Sequence, residues 1–266
     1  MSDTSSSQAS HLDVATVVAI IGYRGSARTA ALNLVAAGHV VQVAVRPGGM
    51  SWVRAFEDGF RPVSIAEAIP GAAIVVVAVP ELEQAQLFAM LIEKHLEPGT
   101  LLLLEATAAA VAGAVKLPEN VDVACARLRA AAPGEGSKEA TGELAVIAVH
   151  RDISGRATER TAAYARTAFK RERLFTSSFA SEGDLDVASY AAEKGSSAAL
   201  ISAWEEQSAQ SGYEPNEARQ RTLESLSAAV TGLGPVHLAK AAATGRAAPT
   251  TGVPAAPATR TTGVAS

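Results

Sequence analysis

Cysteine, aromatic residues and charged residues are all scarce in this 266-residue sequence. It contains one cysteine, 5% aromatic residues and 19% charged residues. One thiol cannot build a disulfide framework or a multi-cysteine metal site, and Cys125 lies in an apolar run that predicts a buried strand. The net charge of −4 leaves no basic surface to neutralise phosphates, so we expect no nucleic-acid partner.

Long apolar runs are also missing. No stretch approaches the roughly 20 residues that a membrane-spanning helix needs, and residues 1–10 lack the basic start and apolar core of a secretory signal. We therefore expect a cytoplasmic protein with no membrane partner. A hydrophobic fraction of 48% still supports one large domain, or one domain with a smaller helical one.

The chain does contain a regular alternation of buried strands and helices. Apolar, β-branched runs predict strands at Thr16–Ile21, Val40–Val45, Ala73–Val79, Thr100–Leu104, Val121–Ala126, Leu144–His150 and, more briefly, Leu174–Ser177. Helices are predicted between most of them, including Glu81–His95 and Ala157–Arg171. This alternation predicts an α/β fold with a Rossmann-like, doubly wound, mostly parallel sheet, whose ligands bind beyond the carboxyl ends of the strands.

The pattern changes to long helices near residue 183, beginning with Leu185–Ser211. We therefore predict a Rossmann-like nucleotide-binding domain over 14–182 and a smaller all-helical C-terminal domain over 183–243. Disorder is expected for 1–13 and for the Ala/Pro/Thr/Gly-rich tail, 244–266. Two or three helices make a thin core alone, so we expect a homodimer formed through the C-terminal helices.

The most specific local signal is the turn after the first strand, Gly22-Tyr23-Arg24-Gly25-Ser26-Ala27. In G-x-G-x-x-G the glycines make a tight turn, let the backbone approach a pyrophosphate, and let helix and strand pack closely. Arg24 replaces the second glycine and Ala27 the third, so a turn that binds nothing is the alternative. The predicted cofactor-binding residues here are Gly22, Tyr23, Arg24, Gly25 and Ser26, with Pro80 beyond the third strand.

Several segments, in order along the chain, resemble ketol-acid reductoisomerase (acetohydroxy acid isomeroreductase), an NADPH- and magnesium-dependent enzyme family of branched-chain amino-acid synthesis. They include Val-Ala-Ile-Ile-Gly22-Tyr, Ala-Leu-Asn33-Leu, Arg46-Pro47-Gly48 with Ser51-Trp52, Glu57-Asp-Gly59-Phe60, Leu96-Glu-Pro98-Gly99 and Gly212-Tyr213-Glu-Pro215. The resemblance implies that Arg46 and Ser51 hold the 2′-phosphate of NADP(H). A guanidinium and a hydroxyl suit a dianionic phosphate, although a solvated turn is the alternative.

The positions that carry the family's chemistry depart from its pattern. The resemblance places Ala106 where the family has a histidine and Arg129 where it has a lysine. It implies that Asp186 is a magnesium ligand, but Tyr190, Arg221 and Ser225 stand where glutamates complete the site. A cation at a ligand position repels a hard divalent ion. We therefore predict a divergent, truncated member that binds no magnesium and does not perform the metal-dependent isomeroreduction.

Four residues are candidates for catalysis. Glu105 follows a strand and suits acid–base work, with a solvated loop carboxylate as the alternative. Arg129 and Tyr190 suit the stabilisation of developing negative charge, and Arg127 with Arg129 could clamp an anion. Asp186 is the fourth candidate, with a helix N-cap shared with Asp184 as the alternative.

Three functions follow from these features. The first is a metal-free, NADPH-dependent reductase of a ketone or imine, acting on a small molecule of specialised metabolism. The second is a non-redox cyclase or isomerase of bacterial natural-product biosynthesis, favoured by Arg24, Ala106 and the Ala-rich segment 105–114, which exchange polar chemistry for apolar space. The third is a noncatalytic binding protein, because a fold alone does not specify a function.

Overall fold

The computed structural model of the protein describes residues 12–13, 15–130 and 143–194. Within these residues, seven strands form one sheet in the order β2-β1-β3-β4-β5-β6-β7. The strands are β1 (Val17–Ile21), β2 (Val40–Ala44), β3 (Ile74–Val77), β4 (Leu101–Leu104), β5 (Asp122–Ala130), β6 (Glu143–Arg151) and β7 (Leu174–Thr176). The helices are α1 (Ser26–Ala36), α2 (Met50–Glu57), α3 (Ile65–Ala68), α4 (Glu81–Leu87), α5 (Ala108–Val111), α6 (Ala157–Phe169) and α7 (Phe179–Lys194).

The sheet is parallel except where β6 runs antiparallel to β5. This confirms the predicted Rossmann-like, mostly parallel sheet. The register aligns Ile21 with Val77, Val77 with Leu104, and Leu104 with Cys125. The carboxyl ends of β1, β3 and β4 are therefore level, and the loops that follow them lie side by side.

Each face of the sheet carries its own apolar core. One core packs α3, α4, α5 and α7 against the sheet, and the other packs α1 and α6. The four residues of β3 and the four of β4 are all buried, because both faces are covered. Cys125 is fully buried in β5, as predicted, and burial raises the pKa of its thiol, which argues against a nucleophilic role.

Three elements differ from the sequence predictions by more than two residues at one end, while the other strands and α6 differ by at most two. β5 extends to Ala130 because it pairs with β6 beyond the parallel part of the sheet. The helix predicted over 81–95 is an α-helix only to Leu87 and continues as a π-helix and then a 3₁₀ turn. The predicted helix start at Leu185 is wrong, since α7 begins at Phe179.

The hydroxyl of Ser178 explains the earlier start of α7. Its Oγ accepts a hydrogen bond from the Ser181 N–H at 3.0 Å, which is the contact that an N-cap residue makes. The predicted domain boundary between residues 182 and 183 therefore falls inside α7, and the two-domain division stays a prediction. The helices predicted beyond residue 194 lie outside the described residues. No helix in the described ranges is long and apolar enough to cross a membrane.

Candidate functional site

The turn after β1 depends on a glycine. Gly22 has a φ of +98°, and a Cβ placed on it would lie 2.3 Å from the carbonyl oxygen of Ala78, next to the end of β3. The Gly22 N–H donates to Ala44 O at 2.9 Å, and the Ala78 N–H donates to Ile21 O at 2.8 Å. The first motif glycine therefore lies between β2 and β3, where a doubly wound sheet opens its ligand crevice.

A cleft of about 680 Å³ opens at this point, and its lining includes Gly22, Arg24, Arg46, Ser51, Arg54 and Pro80. The three arginines are exposed, and Glu83 is the one acidic residue among the lining residues. The cleft thus carries an excess of positive charge beside the turn. Sequence reasoning missed Arg54, although its position one helical turn after Ser51 on α2 places the two residues on one face.

The buried side chain of Tyr23 anchors the turn through an aromatic contact and a hydrogen bond. Its ring is fully buried and packs edge-on against Phe60, with the ring centroids 5.5 Å apart. Its hydroxyl donates to Asp58 Oδ2 at 2.9 Å, and the guanidinium of Arg28 holds both oxygens of the same carboxylate. These hydrogen bonds lower the pKa of Asp58 to about 2. The Tyr23 side chain is thus engaged with Phe60 and Asp58. The cofactor contact predicted for Tyr23 stays a prediction.

Glu105 connects the turn to the end of β4. The hydroxyl of Ser26, the first residue of α1, donates to Glu105 Oε2 at 2.9 Å, while Oε1 is buried and has no hydrogen-bond partner among the described residues. Burial raises the pKa of Glu105 to about 7, although the Ser26 hydroxyl and Arg127 act in the opposite direction. The alternative of a solvated loop carboxylate is therefore wrong, because this carboxyl group lies beneath the predicted dinucleotide turn.

Arg127 lies in β5, just beyond the part of the strand that pairs with β4, and its guanidinium donates to several acceptors. Its Nε and Nη2 donate to Glu182 Oε2 at 3.0 and 2.5 Å, and its Nη1 donates to Asp186 Oδ1. Two main-chain carbonyl oxygens, of Glu105 and Glu182, also accept from it, each at 3.3 Å. The guanidinium therefore neutralises carboxylates of this chain, and the prediction that Arg127 clamps an external anion is corrected accordingly.

Asp186 fastens α7 to the loop after β4. Its Oδ2 accepts from the N–H of Thr107 at 2.7 Å and from the Thr107 hydroxyl at 3.0 Å. Asp186 lies within α7 rather than at its start, so the N-cap alternative is wrong for this residue. Sequence reasoning also missed Thr107 and Glu182, both fully buried.

The structure describes fewer contacts for the other two catalytic candidates, Arg129 and Tyr190. Arg129 lies two residues beyond Arg127 on β5, and its Nε is 3.5 Å from Glu182 Oε2. Tyr190 belongs to α7, but its side chain lies outside the described residues, as do Arg221 and Ser225. In the described part of the chain, no group of three His, Cys, Asp or Glu side chains is placed to hold a metal ion.

The chain is similar in sequence to a known family. The family model "Acetohydroxy acid isomeroreductase, NADPH-binding domain" matches residues 14–171. The "Ketol-acid reductoisomerase (NADP(+))" of Pyrobaculum arsenaticum is 34% identical over 175 residues, and that of Pyrobaculum neutrophilum is 33% identical. Each match covers 64% of this chain and 53% of the relative. The chain therefore spans about half the length of the curated relatives it matches.

Solved structures show the same fold at lower identity. An NADH-preferring ketol-acid reductoisomerase from an uncultured archaeon gives a TM-score of 0.57 at 22% identity, covering 85% of this chain and 71% of that one. A putative oxidoreductase from Jannaschia sp. CCS1 gives a TM-score of 0.54 at 17% identity, with coverages of 85% and 88%. These likenesses establish the fold and nothing finer.

Proposed function

Because the chain belongs to the acetohydroxy acid isomeroreductase family through its NADPH-binding domain, we propose that it binds NADP(H) and reduces a ketone or an imine without a metal ion. The observation that carries the proposal is the cleft of about 680 Å³ beside Gly22, with Arg24, Arg46 and Arg54 in its lining. Three guanidinium groups suit the pyrophosphate and 2′-phosphate of NADP(H). The substrate is a small molecule of specialised metabolism.

The residues of the cleft fit NADP(H) by their chemistry. Arg46 and Ser51 would hold the 2′-phosphate, and Arg54 adds a third donor group near them. Gly22, Gly25 and Ser26 belong to the turn and to the start of α1, where a helix N-terminus favours an anion such as the pyrophosphate. Arg24 is exposed and belongs to the cleft lining, so it adds positive charge to the cleft.

Magnesium does not fit the residues present. Asp186, the position implied as a metal ligand, already accepts hydrogen bonds from Arg127 through Oδ1 and from Thr107 through Oδ2. A guanidinium at this carboxylate repels a divalent cation and occupies its donor oxygen. We therefore assign no step of the reaction to a metal.

In the proposed reaction, bound NADPH supplies a hydride to the electron-poor carbon of the substrate. Arg129, at the end of β5, stabilises the negative charge that develops on the substrate oxygen, and Tyr190 is the alternative group for this role. Glu105 is the proposed proton donor, because a pKa of about 7 populates both protonation states near neutral pH. Asp186 acts as a positioning residue, through its bonds to Thr107 and Arg127.

The Ala-rich segment no longer supports the non-redox cyclase or isomerase. Ala108, Ala109 and Ala112 are buried, and α5 packs so closely on α7 that a Cβ on Gly183 would lie 2.6 Å from Val111 Cγ2. The Ala-rich segment is thus explained by helix packing rather than by a substrate pocket. A noncatalytic binding protein is the other alternative. Both this protein and the reductase could bind NADPH, so a cofactor titration distinguishes them only together with a measurement of substrate turnover.

The proposal is tested by titrating the purified protein with NADPH and following nicotinamide fluorescence. Arg46→Ala should weaken NADPH binding about 10- to 100-fold, because a charge-assisted bond to phosphate contributes about 1.5–3 kcal/mol. NADH binding should change little, since NADH lacks the 2′-phosphate. Arg61→Ala, at an exposed arginine outside the cleft lining, is the control. Equal losses for both cofactors would contradict the 2′-phosphate assignment, and no NADPH binding at sub-millimolar concentration would reject the reductase.

Metal independence has its own measurement. Adding MgCl₂ to the wild-type protein should leave its thermal midpoint unchanged, because a ligand stabilises a fold only where it binds the folded state. The comparison is made at constant ionic strength with NaCl, so that screening of surface charge is the same in both samples. A saturable rise in the midpoint with MgCl₂ alone would contradict the prediction.

A further inference from the structure

A second cleft lies at the end of α1 opposite the dinucleotide turn. It has a volume of about 430 Å³, and its lining includes Asn33, His39, Arg166, Lys170 and Glu172; we name it the His39 cleft. These residues belong to the last turns of α1 and α6 and to the segments that follow them. Since α1 has 11 residues, it is roughly 16 Å long. The His39 cleft shares no described lining residue with the proposed NADP(H) site, so the two are separate.

Hydrogen bonds at the ends of the two helices fix the walls of the His39 cleft. Asn33 Nδ2 donates to Ala168 O at 2.8 Å and so joins α1 to α6. Gly38 has a φ of +87°, the left-handed conformation that commonly ends a helix. The chain turns back there, and the His39 N–H donates to Leu34 O at 3.0 Å. His39 is thereby held against the end of α1.

His39 is a buried polar side chain that has an unmade hydrogen bond. It is only 8% exposed, and its Nδ1 is buried and has no hydrogen-bond partner among the described residues. Leaving a buried polar group unpaired is unfavourable, and a ligand atom in the cleft would remove that cost. An apolar ring would fill the same space without it. Packing therefore does not account for an imidazole at this position.

Two cationic side chains line the cleft together with His39. Arg166 is half-buried and Lys170 is exposed. Neither forms an ion pair with a carboxylate in the part of the chain that the structure describes, although Glu172 also lines the cleft. A cation near a helix C-terminus interacts favourably with the helix dipole. That interaction explains the two cations, but it does not explain the unpaired imidazole beside them.

We propose that the His39 cleft binds a small oxyanion, through a carboxylate or a phosphate group. Arg166 and Lys170 supply the positive charge, and the imidazole of His39 supplies a hydrogen-bond donor. The volume of about 430 Å³ lies near the lower end of the range for small-molecule sites, roughly 300–1,000 Å³. The ligand is therefore small. The inference rests on this cleft alone and does not depend on the reductase activity.

The test is isothermal titration calorimetry of the full chain with inorganic phosphate and, separately, with succinate, at constant ionic strength. We expect saturable binding of at least one anion. Binding of phosphate alone assigns a phosphate group, binding of succinate alone assigns a carboxylate, and binding of both assigns either oxyanion. Arg166→Gln and Lys170→Gln should each weaken binding about tenfold, because each removes a charge-assisted contact. Binding of neither anion, or unchanged binding by both variants, would overturn the proposal.

Two controls separate the His39 cleft from other cationic surfaces. Arg171→Gln removes the same charge from an exposed residue that follows Lys170 but does not line the cleft, so it should leave binding unchanged. An equal loss in Arg171→Gln would mean that net charge alone attracts the anion, and would overturn the assignment. The titrations are repeated with Arg46→Ala, which should retain binding. Loss of binding in Arg46→Ala and retention in Arg166→Gln would place the anion in the NADP(H) cleft instead.

Substitutions of the remaining polar residues test the role of each. His39→Phe keeps a ring but removes both nitrogens, so it should weaken anion binding about threefold or more without lowering the urea-unfolding midpoint of the free chain. Unchanged binding, or a loss of both binding and stability, would overturn the assignment of His39 as a ligand. Glu172→Gln should strengthen binding, because its carboxylate repels an anion. Weaker binding in Glu172→Gln would mean that the cleft holds a positive group, and would overturn the proposal.

Discussion

Gly22→Ala is expected to destabilise the chain by about 3–5 kcal/mol, a loss that few single methyl additions cause. The added Cβ would lie 2.3 Å from the Ala78 carbonyl oxygen, which belongs to the backbone and cannot rotate away. The φ of +98° adds strain of its own, because L side chains rarely adopt it. The turn would have to move, and the ends of β1 and β3 would separate.

Urea unfolding, followed by circular dichroism, measures this loss. Gly38→Ala is the matched control, because Gly38 has a φ of +87° but a Cβ there would meet nothing within 4 Å. It should cost only about 1 kcal/mol, the price of the left-handed conformation alone. Similar costs at the two positions would show that backbone strain, and not the approach of β3, makes Gly22 necessary.

The sheet could be predicted because its strands are apolar on both faces. Val75, Val77, Leu102 and Leu104 contribute to one core, while the residues between them contribute to the other. A strand that is buried on both faces has a continuous run of apolar residues, and such a run can be recognised from neighbouring residues alone. The extension of β5 to Ala130 could not be predicted in the same way, because it depends on pairing with β6.

The contacts of the candidate site were less predictable because they join distant positions. Arg127 meets Glu182 and Asp186, 55 and 59 residues away, and Thr107 meets Asp186 across 79 residues. No periodicity or local motif encodes such pairs. Arg127 was recognised as a cation at a strand end, but its partners on α7 determine that it neutralises the chain's own carboxylates.

Glu105 joins the two parts of the site. Its carboxyl group accepts from Ser26 on α1, and its carbonyl oxygen accepts from Arg127 on β5. Glu105, the residue that follows β4, therefore contacts both the dinucleotide turn and Arg127. A change in the charge of Glu105 is thus a change in the electrostatic potential at both places.

Glu105→Gln is expected to stabilise the chain above pH 7. The folded-state pKa of about 7, against 4.5 for an ordinary glutamate, means that the folded chain holds this proton more tightly than the unfolded chain. The stabilisation is complete below pH 4.5 and is lost as the pH rises through 7, a difference of about 3 kcal/mol. Glutamine keeps the neutral form at every pH, so the variant should match wild type near pH 4, gain on it between pH 4.5 and 7, and exceed it by about 3 kcal/mol at pH 8.5.

Urea unfolding at a series of pH values measures the difference, with Glu83→Gln as a control that removes an exposed carboxyl group from the cleft.

Ionisation of Glu105 also places a negative charge beside Ser26, where the pyrophosphate of NADPH is proposed to bind. NADPH affinity should therefore fall as the pH of wild-type protein rises through 7, and Glu105→Gln should remove that fall. If both proteins lose stability in parallel between pH 5 and 8.5, the buried carboxyl group of Glu105 does not titrate near neutrality. If only the stability difference appears, Glu105 titrates but the pyrophosphate does not bind beside Ser26.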